Sequence, residues 1–140
     1  MTFHIKNRRS HLKIIEKYNL PVFLIDSVSE NELTVFYMKS HLYISSSLYE
    51  GFGRTVIEAQ LNGLPVIASN IPIYKEILRD SADYVDDLTC PKAWANSLKE
   101  LIADKKKREK MVQLGKKNSE RFLLYNIRKQ FHNLIFDKKR

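Results

Sequence analysis

Cysteine is almost absent from these 140 residues. The single Cys90 can close no disulfide within the chain, and no spacing of cysteine with histidine suits structural zinc, so disulfide scaffolds and zinc-held folds are excluded. Glycine and proline number four each, too few for a collagen-like or disordered chain. No apolar stretch approaches the roughly eighteen residues of a membrane-spanning helix. The segment from Met1 to Leu12 carries Lys6, Arg8 and Arg9 with no apolar run behind them, unlike a secretory leader. A soluble protein of the cytoplasm is the expectation. What the chain does have is 44% apolar and 29% charged residues, the balance of a packed globular domain, and a length that allows one such domain, 1–140.

The net charge of +8 is unevenly placed. Residues 104–140 hold 13 basic and 4 acidic side chains, whereas residues 1–103 hold 11 and 12. The reading is therefore a neutral body, 1–103, followed by a basic helical tail, 104–140. Such a tail attracts anionic lipid or an acidic partner, and a location at the inner face of the membrane follows if it docks there. A solvated helix face accounts for lysine-rich segments equally simply. Stacking aromatics are not interleaved with the basic run Lys105 to Lys110, so nucleic acid is not an expected partner.

Apolar periodicity alternates between short runs and helical spacing, the pattern of a sheet whose strands are joined by helices. His4 to Asn19 reads as a helix with Leu12, Ile14 and Ile15 inward, and Val22, Phe23, Leu24 and Ile25 as a buried strand. Ser29 and Glu32 form a capping box that opens a helix through Leu33, Phe36 and Tyr37. Leu42, Tyr43 and Ile44 make the next strand, Thr55 to Leu61 a helix ended by Gly63, and Pro65 to Ala68 another strand. A helix over Pro72 to Leu78, a weak strand at Tyr84 and Val85, and a helix opened by Pro91 follow. From Lys105 onward the apolar stripe of one or two helices is Met111, Leu114, Phe122, Ile127, Phe131 and Leu134. Three or four strands alternating with helices imply a doubly wound α/β fold with a parallel, Rossmann-like sheet and C-terminal helices.

Two of the four glycines fall in one stretch, Ser45 to Glu58, which reads SSSLYEGFGRTVIE. It follows a strand and opens a helix, so it lies at the carboxyl end of the sheet, where open α/β folds bind ligands. The first amides of that helix, on Arg54, Thr55 and Val56, lack intrahelical partners and suit phosphate. Gly53 permits close approach of backbone to a ligand. Glu58, one turn into the helix, is placed to accept from ribose hydroxyls, and Glu50 in the loop to reach a sugar beyond. Spacing alone also fits an Arg54–Glu58 surface pair and an ordinary acid ahead of a helix. Asp86 and Asp87 read as a solvated turn, and no metal site is expected.

Glu50-Gly-Phe-Gly, Glu58-Ala, Gly63-Leu-Pro-Val-Ile-Ala-Ser69, Ile71-Pro72 and Glu76-Ile77 occur in order, and together they resemble the C-terminal lobe of the retaining GT-B glycosyltransferases of family 4. The resemblance covers about residues 20–124. It implies a nucleotide-sugar site for a UDP- or GDP-linked donor, with no other cofactor. Glu50 would be the catalytic carboxylate, touching sugar hydroxyls and steadying charge near the anomeric carbon. Phe52 and Gly53 would offer backbone groups to the sugar, Arg54, Thr55 and Val56 would meet the diphosphate, and Glu58 would hold the ribose. Ser69 to Pro72 would shape the pocket.

The sequence departs from the family pattern at its start. Residues 1–20 contain no Gly-Arg…Lys-Gly pattern for gripping the diphosphate, and His4, His11, His41 and His132 replace no catalytic histidine. The expected partners are therefore a nucleotide-sugar together with an N-terminal lobe, another chain or a second copy, because a shortened sheet exposes an edge. A non-catalytic remnant that binds a nucleotide or a partner, and an electrostatic adaptor working through the tail, are the alternatives.

Overall fold

The computed structural model describes residues 8–136, with side chains as far as His132. The described chain forms two compact units, Met1–Lys39 and Ser40–Arg140.

The first unit carries two helices, α1 (Arg8–Lys17) and α2 (Glu30–Lys39). The expected helix starts within the described residues only from Arg8; His4 and Lys6 lie outside them. Helix α1 buries no residue, so Leu12 and Ile14 are exposed and the expected inward face is corrected. Asn19, at φ 45, ends the helical turn in the left-handed conformation that asparagine tolerates. Arg8 pairs with Asp26 in the segment between the helices. The capping box forms as expected. The Glu32 carboxylate accepts from the Ser29 amide at 2.8 Å, and the Glu32 amide donates to Ser29 Oγ at 3.2 Å. The Ser29 amide, and the Ser29 hydroxyl donating to the same carboxylate at 2.8 Å, hold the Glu32 carboxyl below its ordinary value.

The expected strand at Val22 to Ile25 does not form, and Phe23 is 88% exposed. The physical reason is pairing. Among the described residues of this unit β pairing is confined to a single bridge residue, Ser27, beyond the run, and a strand is stable only as part of a ladder.

The second unit begins with β1 (Tyr43–Ser45), α3 (Arg54–Leu61), β2 (Val66–Ser69), α4 (Pro72–Leu78) and β3 (Asp83–Val85). It continues with α5 (Pro91–Ala103), α6 (Lys105–Ser119), a short 3-10 turn (Glu120–Phe122) and α7 (Leu124–Phe136). The three strands are parallel in the order β1-β2-β3, with Tyr43 beside Val66 and Ile67 beside Asp83. This is the expected α/β architecture with helical crossovers. Strand β2 is buried along its whole length, as a central parallel strand covered on both faces must be. Ile67 packs on one face with Val85, Leu101 and Met111, and Trp94 and Leu98 close over that cluster. Gly63, at φ 76, takes the left-handed turn that returns the chain from α3 to β2.

The tail is less separate than its charge suggests. Helix α6 packs on both α3 and α5, and Met111, Asn118 and Ser119 are buried. A polar cluster joins three helices there. Gln60 donates to Ser81 Oγ at 2.7 Å and to the Ser81 carbonyl at 3.1 Å, while Asn118 donates to Gln60 Oε1 at 2.9 Å and to the Ile77 carbonyl at 2.8 Å. No buried side-chain polar atom among the described residues is left without a partner. The expected stripe holds only at its beginning. Met111 is buried and Leu114 and Phe122 are half-buried, but Ile127 and Phe131 on α7 are exposed, Phe131 by 63%. The side chain of Leu134 lies outside the described residues. The polar residues Asn126, Lys129 and Gln130 of α7 share a groove with Lys117, Glu120 and Arg121, which leaves the apolar stripe turned away from the body.

Candidate functional site

Three consecutive serines, Ser45 to Ser47, take the chain out of β1 at the carboxyl end of the sheet. The loop then runs to Gly53, which opens α3 in the left-handed conformation, φ 75 and ψ 48. A Cβ at Gly53 would lie 2.7 Å from Tyr74 Cε1, so glycine is required twice over, by its dihedral and by the ring behind it. Gly53 supplies no side-chain cap to α3. The amides of the first turn, on Arg54, Thr55 and Val56, lie at the positive end of the helix dipole.

Both candidate carboxylates flank this helix start. Glu50 is half-buried in the loop, where Ser47 Oγ donates to its Oε1 at 2.8 Å. Glu58 is half-buried on α3. The two act on the same phenol. Burial raises Tyr43 above its ordinary value, the Thr55 hydroxyl opposes this, and the negative fields of Tyr74, Glu50 and Glu58 add to the rise. Glu50, Thr55 and Glu58, set eight residues apart end to end in sequence, therefore converge around Tyr43.

Other expected site residues are placed less uniformly. Val56 is fully buried, so only its backbone faces the helix opening, whereas Arg54 is exposed. The Phe52 ring stands edge-on to Phe122, with centroids 5.8 Å apart at 82°, an arrangement that fixes the loop's outer side on the turn after α6. Asn70 bonds Asp86 and its amide donates to the Val85 carbonyl at 2.9 Å, which ties the Ser69–Pro72 segment to the end of β3. Asp87 accepts from the Thr89 amide and hydroxyl, so the expected turn is present. No group of three or more His, Cys, Asp or Glu among the described residues is arranged for a metal ion.

Sequence reasoning missed the buried partners of this site. Tyr74 is fully buried and its hydroxyl lies 2.6 Å from Ser45 Oγ; burial raises the phenol above its ordinary value. In the sequence, Tyr74 sits among Ile73, Ile77 and Leu78 and reads as plain core. The serine run at the end of β1 was the available signal. At the same end of the sheet a cavity of about 450 Å³ lies between the end of β1 and the start of α5, lined by Ile44, Ser46, Leu88, Thr89, Trp94 and Leu98.

The profile of the family described as glycosyl transferases group 1 matches residues 6–118. The chain belongs to the glycosyl transferases group 1. Among curated relatives, it is 39% identical over 82 residues to the O-antigen chain mannosyltransferase RfbU of Salmonella typhimurium, covering 57% of this chain and 22% of that one. It is 33% identical over 114 residues to the serotype-specific mannosyltransferase WbdA of Escherichia coli, covering 78% and 14%. The chain thus spans about a fifth or less of the length of these relatives. Among solved structures, sucrose-phosphate synthase from Thermosynechococcus elongatus matches with a TM-score of 0.73 at 24% identity, over 93% of this chain and 34% of that one. This likeness shows the fold, the Rossmann-like lobe of a GT-B protein. No helix among the described residues is long and apolar enough to cross a membrane.

Proposed function

We propose that this group 1 chain is the donor-binding part of a retaining glycosyltransferase and takes a UDP- or GDP-linked hexose. The observation that supports the reading is the order of the segment: Glu50 in the loop that Ser47 holds, Gly53 in the left-handed conformation at the start of α3, and Glu58 one turn into that helix. The diphosphate meets the amides of Thr55 and Val56, with Arg54 beside them supplying charge. Glu58 accepts from the ribose hydroxyls. Glu50 accepts from the sugar and stabilises positive charge as the anomeric carbon exchanges its bond to the diphosphate for one to an acceptor hydroxyl oxygen, whose proton leaves with the diphosphate. Phe52 and Gly53 contribute backbone groups. Because transfer needs donor and acceptor held together in a closed cleft, the acceptor side belongs to residues outside this sequence, whether an N-terminal lobe or another chain. A cytoplasmic setting in the assembly of a surface polysaccharide suits the relatives named for O-antigen work.

Calorimetric titration with UDP, GDP and ADP tests the site. Saturable binding of one nucleotide, weakened tenfold or more by Glu58→Ala, is expected, since hydrogen bonds to a carboxylate contribute about 1.5–3 kcal/mol. Absence of binding at millimolar nucleotide refutes the donor site and leaves the non-catalytic remnant.

A peripheral contact with anionic lipid is part of the same proposal, carried by α7. That helix turns Leu124, Tyr125 and Phe131 outward beside Arg128 and Lys129 and has no acidic residue. Co-sedimentation with phosphatidylglycerol vesicles should be abolished by Leu124→Asp with Phe131→Asp. Binding unchanged by the pair contradicts it.

A further inference from the structure

Tyr74 reaches every segment that builds the candidate site from a position on none of them. It stands on α4, after β2, yet its ring lies against Gly53 at the start of α3, and its hydroxyl meets Ser45 at the end of β1. Ser45 stands two residues before Ser47 in the same loop, and Ser47 holds Glu50 at 2.8 Å. The phenol is itself fixed. The side chain is fully buried, and the backbone carbonyl of Tyr74 accepts from the Tyr84 hydroxyl at 3.2 Å. A rigid buried ring cannot move without displacing the turn at Gly53, and the hydroxyl at its tip anchors Ser45 at the start of the loop that carries the carboxylate.

We infer that Tyr74 is a positioning residue that sets the place of the Glu50 carboxylate relative to the first amides of α3, its hydroxyl acting through Ser45 and Ser47 and its ring through Gly53. The inference rests on the donor-site reading above and adds a division of labour to it. The ring supports the part of the site that meets the diphosphate, and the hydroxyl supports the part that meets the sugar. Removing the hydroxyl alone should then separate the two halves of one ligand, because a carboxylate that must be ordered on binding contributes less than one already held.

The experiment compares affinities for GDP and GDP-mannose, and for UDP and UDP-glucose, in the wild-type chain and in Tyr74→Phe. Phenylalanine keeps the ring against Gly53. The expected result is that the nucleotide-sugar binds about tenfold more weakly while the nucleoside diphosphate stays within twofold, the size of one hydrogen bond to a charged group. Glu50→Gln should reproduce that selective loss, and the double variant should lose no more than either single one. Ser47→Ala, which leaves the Tyr74 ring against Gly53 and its hydroxyl on Ser45, should reproduce it too, so that a poorly folded Tyr74→Phe does not leave the question open. Equal weakening of both ligands, or no weakening of the sugar-bearing one in Tyr74→Phe and Ser47→Ala, overturns the inference. A wild-type chain that binds none of the four ligands overturns the donor site first and this inference with it.

Discussion

Val66-Ile67-Ala68 and Val22-Phe23-Leu24-Ile25 are runs of similar composition with opposite fates. The first is the buried centre of a parallel sheet, and Ile67 is 0% exposed; the second lies on the outside of its unit, with Phe23 at 88%. What separates them is the surroundings. The run at Val66 has β1 and β3 on either side, α3 beside it, and the cluster of Leu101 and Met111 over Ile67. The run at Val22 has an exposed α1 before it and a capped α2 after it. Apolar composition gives a segment a reason to be buried, but only neighbouring strands and helices provide the place.

Substitution tests this contrast most sharply at the two runs themselves. Ile67→Ala should cost about 2–5 kcal/mol, the penalty for a cavity in a site closed on all sides, while Phe23→Ala should stay within about 0.5 kcal/mol, as exposed substitutions do. Urea denaturation of both variants checks this. Equal losses would show that the Val22 run is packed in solution. A smaller effect is expected from the polar interior. Asn118→Ala leaves the Ile77 carbonyl and Gln60 short of partners and should cost about 1–3 kcal/mol. Ser29→Ala in the exposed capping box should cost less than that in the same assay. Loss of the same size at Ser29 would make the first unit as demanding of its polar contacts as the second.

The smallest effect is a pH dependence confined to the second unit. Burial, with Asp80 adding its negative charge, pushes Tyr84 from its ordinary 10.0 up to about 12. The folded chain therefore favours the neutral phenol. Its contribution is complete below pH 10 and is lost as the pH rises towards 12. Stability measured across that interval should fall less steeply in Tyr84→Phe than in the wild type. An identical slope in both contradicts the assignment.

Much of the second unit was legible in the sequence because its signals are local. Pro91 opens α5, Gly63 turns the chain into β2, and the strands at Tyr43, Val66 and Asp83 fall within a residue or two of their apolar runs. Gly53 and the two glutamates stand out for the same reason, in a chain with few glycines. The exposed stripe of α7 and the unpaired run at Val22 were misread because periodicity records which residues share a face, and nothing of what that face meets. Tyr74 was hidden differently. Its helical spacing marks a core residue, and the spacing is correct, since the ring is core. The hydroxyl meets Ser45 across 29 positions of sequence, a distance no local pattern spans.

The buried cluster of Gln60, Ser81 and Asn118 has an evolutionary consequence. The Gln60 side-chain oxygen has its printed partner in Asn118, so a change at Asn118 strands it, while replacing both amides by apolar residues of the same shape costs less than losing one. Single steps away from this arrangement lead further downhill than paired steps. Descendants of this chain should therefore carry Gln60 and Asn118 together or lose them together, and the intermediate with one of the two should be the rarest combination.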